Sequence, residues 1–424
     1  MVTEFTLRYD SRTLDLWMNK FVTIAERRIR LKGISMLSPY DELPVHQTSY
    51  PLSVVTNTDP GFDDGYFFSV FSADHRIVCF QGLRINPNTD IVGGYVGFSR
   101  DGIQRTVRFS RTWRELCDTV VGPYRIQVVE PYRDIRLTLD DNPSGLRFEL
   151  NWMGSSPAYE EAHHLATNRG RPTTDQTRYS QAGTALGWIE IDGERIDVEP
   201  TQWYGSRDHS WGLYHERPPL APNPRFLPPR AAEGVPRALR FWTLFGAGEL
   251  SGFYAIHESP DGKQVPMNDT FGTPFEGRLH LGWDTETIDL VGGSHELELV
   301  PGTRLLRAAT VTLLDADGGK WVQHVEPVAP PWVTATIGYQ AGSWKDGGSM
   351  RTYHGPGVSV EWDEFDFAEQ PFDHTMYDGT VHRNLHGKEY LSRVTTLAPD
   401  GRRWDGAGHT ELFLDGPFAP YGLQ

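Results

Sequence analysis

Cysteine is nearly missing from this 424-residue chain: only Cys79 and Cys117 occur, and neither has a CxxC neighbour. A disulfide framework and a thiolate zinc site are therefore not expected. Positive charge is scarce as well, with a formal net charge of −16. Phosphate binding needs clustered Lys and Arg, so nucleic acid is not an expected partner. The runs Arg27-Arg28-Ile29-Arg30 and Arg402-Arg403 are too short to reverse this and read as solvated faces. No stretch approaches the roughly 18 consecutive apolar residues of a membrane span. The segment Met1-Val2-Thr3-Glu4-Phe5 lacks the basic and apolar regions of a signal peptide. A soluble, cytoplasmic protein is expected. No GxSxG elbow, P-loop or GxGxxG before a helix occurs, which weakens hydrolase, nucleotide and dinucleotide readings.

What the chain does have is turn residues and rings: 43 glycines, 30 prolines and 12% aromatics. One helical pattern stands out, from Leu14 to Leu31, where Leu14, Trp17, Phe21, Ile24 and Ile29 recur near helical spacing. Beyond it, strand patterns dominate. Tyr66–Phe71, Arg76–Phe80, Ile91–Phe98, Gln104–Phe109, Tyr124–Val129, Ile135–Leu139 and Leu146–Trp152 follow one another with short turns between them. Gly187–Ile191 and Arg195–Val198 flank Asp192-Gly193, a strong hairpin signal.

Consecutive strands without βαβ spacing predict an all-β protein built from antiparallel meanders, closed into barrels to remove their edges. Length predicts two such domains. The first is expected over 1–216, a Pro-rich connector over 217–238, and the second over 239–424. There is also an internal echo. Asp192-Gly193 precedes Trp203-Tyr204-Gly205 and His209, as Asp400-Gly401 precedes Trp404-Asp405-Gly406 and His409.

The densest chemistry lies in Trp203-Tyr204-Gly205-Ser206-Arg207-Asp208-His209-Ser210-Trp211-Gly212. Ionisable groups among aromatic rings are desolvated, and desolvation shifts pKa values toward catalytic use. On a strand, Arg207, His209 and Trp211 share one face, and Asp208 points with Ser206 and Ser210 to the other. If that second face is a barrel interior, Asp208 sits at the end of an apolar cavity, fitted to donate a proton. The structural alternative makes Arg207 an ion-pair partner in the other domain and Asp208 a turn cap.

Other clusters carry less. His374, His382 and His386 suggest a metal, but Gly379, Asn384 and Gly387 indicate turns, whereas zinc ligands at i,i+4 need a helix. No metal and no cofactor are expected. Glu361-Trp362-Asp363-Glu364-Phe365-Asp366-Phe367 alternates like a half-exposed strand, and one of its acids could partner Arg207.

The runs Tyr179–Gly183, Gly187–Gly193 and Gly205–Gly212, with Arg84–Asn88, Arg108–Arg111 and Gly406–Glu411, resemble the lipocalin-like group that includes hydroxyneurosporene synthase, the carotenoid hydratase. The resemblance spans most of the chain, and its specific part is Arg207–Gly212. It implies two lipocalin-like β-barrels packed together, and hydration, cyclisation or cycloaddition of apolar polyene, terpenoid or polyketide substrates without metal or redox cofactor. The expected enzyme is thus a hydratase, dehydratase or isomerase of an alkene-containing molecule. Asp208 and His209 are the catalytic candidates, and Trp203, Tyr204, Arg207, Trp211 and Asp363 the substrate-binding ones. A carrier of an apolar ligand and a shape-driven cyclase are the alternatives. The expected partner is a hydrophobic small molecule; a homodimer is left open.

Overall fold

The computed structural model describes residues 48–114, 117–168, 170–214, 237–266, 274–384 and 388–424. The helix expected over Leu14–Leu31 lies outside them, as do most of the Pro-rich connector and His386. The sheets belong to a body formed by Asn57–Trp113 and Asp118–Gln424. The other described residues, at 48–56, 114 and 117, are turns and bends, with the Val54 N–H donating to the Pro51 carbonyl at 2.9 Å.

Strands run in chain order as β1 (Phe62–Ser72), β2 (Ile77–Asn86), β3 (Ile91–Arg100), β4 (Ile103–Thr112), β5 (Val120–Val121), β6 (Tyr124–Glu130), β7 (Asp134–Leu139) and β8 (Leu146–Gly154). Then come β9 (Tyr159–Glu160), β10 (His164–Asn168), the long β11 (Arg171–Ile191), β12 (Glu194–Val198) and β13 (Tyr204–Tyr214). The second half supplies β14 (Leu239–Ala247), β15 (Leu250–Glu258), β16 (Phe275–Leu281), β17 (Glu286–Leu299), β18 (Leu306–Asp315) and β19 (Lys320–Pro327). It ends with β20 (Trp332–Val333), β21 (Ser359–Asp366), β22 (Asp373–Thr375), β23 (Val381–Arg383), β24 (Lys388–Leu397) and β25 (Arg403–Leu414). Every strand pattern read from the sequence falls on one of these.

The protein is all-β, with two large antiparallel sheets. The second is ordered β19-β18-β17-β16-β15-β14-β25-β24, and a further β19–β24 pairing closes it into a barrel of eight strands. The first runs β21-β4-β3-β2-β1-β13-β11-β8-β7-β6-β5. Its open side is drawn together by side chains: the Tyr124 ring of β6 stacks on Phe109 of β4 at 6.0 Å, and the Arg111 Nε donates to the Val120 carbonyl at 2.7 Å. β21 comes from the second half of the chain and pairs with β4.

The internal echo has a topological meaning. β13 pairs with β1 and β25 pairs with β14, so in each half of the chain a late strand returns to pair with the first. Burial shows where the two sheets abut. β8 alternates between buried and less buried residues, as a strand with one solvated face should. β2, β14 and β15 are buried at every position, because one face meets their own core and the other meets the opposite sheet. Phe67, Phe71 and Phe80 from the first sheet pack there with Trp332, Leu391 and Ala407.

Candidate functional site

β13 presents two chemically different faces. Alternation holds as expected: Arg207, His209 and Trp211 lie on one side, and Ser206, Asp208 and Ser210 on the other. The interior assignment is reversed. Arg207 faces the core of the first sheet, with its guanidinium carbon 5.2 Å from the Trp152 ring and 5.7 Å from Phe68. Asp208 instead faces the second sheet, beside Ser206, whose Oγ lies 2.9 Å from Nδ1 of His409.

On the inter-sheet side, Ser206 also meets the Ser69 Oγ at 2.7 Å. The other ring nitrogen of His409 forms a short hydrogen bond with Glu389. Three rings cage this imidazole: Trp242 at 5.2 Å, Trp332 at 5.3 Å and Phe67 at 5.7 Å. Burial, reinforced by the neighbouring Glu411, pushes the Glu389 carboxyl up to about 7, against the opposing pull of His409. Glu411 behaves in the opposite way. Burial would raise it, but Arg240 and His409 leave it below its ordinary value, with the Arg240 Nε at 2.7 Å. Glu389, His409 and Glu411 each offer a ligand atom within 4.8 Å of the others. A cation there would compete with Arg240 for Glu411.

Asp208 lies opposite Phe67 in the β1–β13 register. Its Oδ1 is buried and has no hydrogen-bond partner. Close by, Asp63 receives two guanidinium groups, Arg84 at 2.8 Å and Arg351 at 3.0 Å. The Arg84 Nη2 donates to the Tyr339 hydroxyl at 3.0 Å, which meets the Tyr95 hydroxyl at 3.0 Å. Burial would lower the Arg84 pKa, but the Tyr339 hydroxyl and the carboxylates of Asp63 and Asp208 around it hold it high.

On the other face, His209 stacks on Tyr66 at 4.0 Å, and its Nε2 lies 2.8 Å from Asp64. Its Nδ1 lies 3.4 Å from the Tyr179 hydroxyl. Trp211, 38% exposed, closes this group at 5.2 Å from His209. Asp208 and His209 thus serve opposite sides of the strand and do not work on one another.

The remaining sequence candidates are dispersed. Trp203 is fully buried in the core of the first sheet, stacked with His75 at 5.3 Å. Tyr204 is half-buried and lies across Gly246 of β14, where an added Cβ would come within 2.6 Å of its ring. Asp363, on β21, is held by Arg108 and the Tyr377 hydroxyl. The partner expected for Arg207 among the β21 acids is not found; its Nε donates to the Gln181 Oε1 at 2.9 Å. His374 has both ring nitrogens occupied, by Asn384 at 3.1 Å and the Ser343 carbonyl at 2.9 Å. Among the described residues, no helix is long and apolar enough to cross a membrane.

Sequence reasoning missed Glu389, Glu411, Trp242 and Trp332. The internal echo pointed to His409, and Glu411 closed the Gly406–Glu411 run without being singled out, while Glu389 carries no local signature. Tyr179 lay within a motif run, yet only pairing with β13 brings it to His209.

Two antiparallel β-sheets, each wrapped round its own core and meeting across a buried polar and aromatic layer, define the class of protein. More particularly, the chain belongs to the family of unknown function DUF8625, whose model matches residues 37–424. No curated protein matches it. Among solved structures it is similar to CghA with Sch210972, at 12% identity, covering 91% of this chain and 97% of that one with a TM-score of 0.46. It is similar also to a Nitrosomonas europaea protein assigned as AttH, at 11% identity, 90% and 99% coverage and a TM-score of 0.45. Kievitone hydratase from Nectria haematococca follows at 10% identity, 90% and 97% coverage and a TM-score of 0.40.

Proposed function

We propose that this protein is a cofactor-independent enzyme that moves a proton on an alkene-containing apolar small molecule, a terpenoid, polyene or polyketide, as a hydratase, dehydratase or isomerase. One observation carries the reading: a carboxyl that titrates near 7, Glu389, is paired with an imidazole caged by three aromatic rings. General acid catalysis is most efficient when the acid titrates near the working pH. Trp242, Trp332 and Phe67 offer π-faces to a developing cation. Asp208, with one bare carboxylate oxygen on the same side of β13, is the second proton-handling group. His409 holds Glu389 in place, bridging it to the Ser206 hydroxyl through its two ring nitrogens.

Binding alone is the second reading, and the Ser206 hydroxyl favours it. With both Ser69 and His409 as partners, it serves as a joint between the two sheets. Incubation with a polyene, a terpenoid alcohol and a prenylated phenol in deuterated water separates the two. An enzyme adds or removes the elements of one water, or incorporates deuterium at carbon, to an extent that Asp208→Asn and Glu389→Gln diminish. A carrier returns every molecule unchanged.

A further inference from the structure

The opposite face of β13 holds a charge without a counter-charge. Arg207 is 3% exposed, yet among the described residues no carboxylate lies within ion-pair distance of it. Its Nε is satisfied by Gln181, which is itself fixed by donating to the carbonyls of Tyr132 at 2.8 Å and Ser156 at 2.6 Å. Nη2 is buried and has no hydrogen-bond partner. Four rings surround the guanidinium: Tyr179 at 5.1 Å, Trp152 at 5.2 Å, Tyr132 at 5.6 Å and Phe68 at 5.7 Å. Burial pushes its pKa down.

Compare the other buried arginines. Arg84 and Arg351 share Asp63, Arg108 has Asp363, and Arg240 has Glu411. An uncompensated buried ion costs several kcal/mol. Ring contacts return part of that, at about 0.5–2 kcal/mol each, but they leave Nη2 with nothing to donate to. The rings also grade outward. Trp152 and Phe68 belong to the core, Tyr179 is intermediate, and Tyr132 is 45% and Trp211 38% exposed. Arg207 therefore lies at the inner end of a row of rings, Tyr179 touching Tyr132 at 5.4 Å and Trp211 at 6.4 Å, whose outer members are exposed.

We propose that the first sheet holds an anion site at Arg207, which takes the carboxylate or enolate end of a flat, unsaturated apolar molecule. The acid end accepts from Nη2, and the conjugated body lies along Tyr179, Tyr132 and Trp211. Arginine suits this work because its planar fork matches a carboxylate and stacks on rings. The site lies on the side of β13 away from Asp208 and His409, and it stands whether or not that side is catalytic.

The test uses a matched pair of probes, retinoate and retinol, which share the polyene and differ in the charged end. Quenching of the intrinsic tryptophan fluorescence is followed on the full chain at pH 7.5. Retinoate is expected to bind at least tenfold more tightly than retinol, and Arg207→Met is expected to remove that preference while leaving retinol affinity within twofold. Equal affinity of the unaltered protein for the two probes overturns the proposal without any variant. So does an Arg207→Met protein that keeps its circular dichroism and its preference for retinoate. If Arg207→Met does not fold, Tyr179→Phe and Trp211→Ala are compared; weakened binding of both probes supports binding along this row of rings, and unchanged binding in both variants overturns it.

Discussion

Ser206 and His409 are 203 positions apart, yet their Oγ and Nδ1 atoms lie 2.9 Å from each other where the two sheets meet. Ser206 sits on β13, which pairs with β1, and His409 on β25, which pairs with β14, so a single hydrogen bond ties the returning strands of the two sheets together.

Removing that bond should loosen the join. Ser206→Ala leaves the His409 nitrogen and the Ser69 hydroxyl short of a partner in a buried layer. An unsatisfied buried polar group costs about 1–3 kcal/mol. Urea denaturation should show a loss of that size, and an unchanged midpoint would rule out the tie.

Stability should also depend on pH through the two carboxylates beside His409. Glu389 titrates higher in the folded state than in the unfolded chain, so the fold holds the extra proton between the usual carboxylate range and about 7. Its contribution is full below the ordinary carboxylate range and is lost progressively as the pH rises to about 7. Glu411 is shifted down, so its contribution is present above the ordinary carboxylate range and is lost as the pH falls below it. Stability should therefore peak near the ordinary carboxylate value of 4.5, and Glu389→Gln should flatten the decline between that value and about 7. Urea titrations at four pH values measure both slopes.

Asp363 should prove to be a structural acid. It is 3% exposed and compensates Arg108, which is also buried. Arg108 also has Asp346 and Glu361, each at 3.0 Å, so removing Asp363 should cost less than the roughly 3–5 kcal/mol of a buried pair that loses its one partner. Asp363→Ala should lower the melting temperature accordingly without altering the preference between retinoate and retinol.

Gly65→Ala should disturb the inter-sheet arginines. An added Cβ would stand 1.9 Å from the Arg84 Nη1, the atom that holds Asp63. Overpacking of this kind costs about 1–3 kcal/mol. Thermal unfolding should report it.

Much of this architecture was legible in the residues. Asp192-Gly193 between two alternating runs specified the β11–β12 turn, and positive φ at both residues is what that pair allows. The rest was not legible, because it depends on which strands become neighbours. Asp64 and Tyr66 meet His209 through the β1–β13 pairing, and Tyr179 meets it through β11, from opposite sides. Glu389 reaches His409 by the β24–β25 ladder together with the enclosure that desolvates it.

The sequence by itself determined the strands, their turns and the division of Ser206, Asp208 and Ser210 from Arg207, His209 and Trp211. Alternation is a local property of the extended backbone and needs no partner. Only the tertiary structure decided which of those faces looks into the first core and which meets the second sheet. That choice follows from strand order and closure, set by contacts between residues as distant as Ser206 and His409.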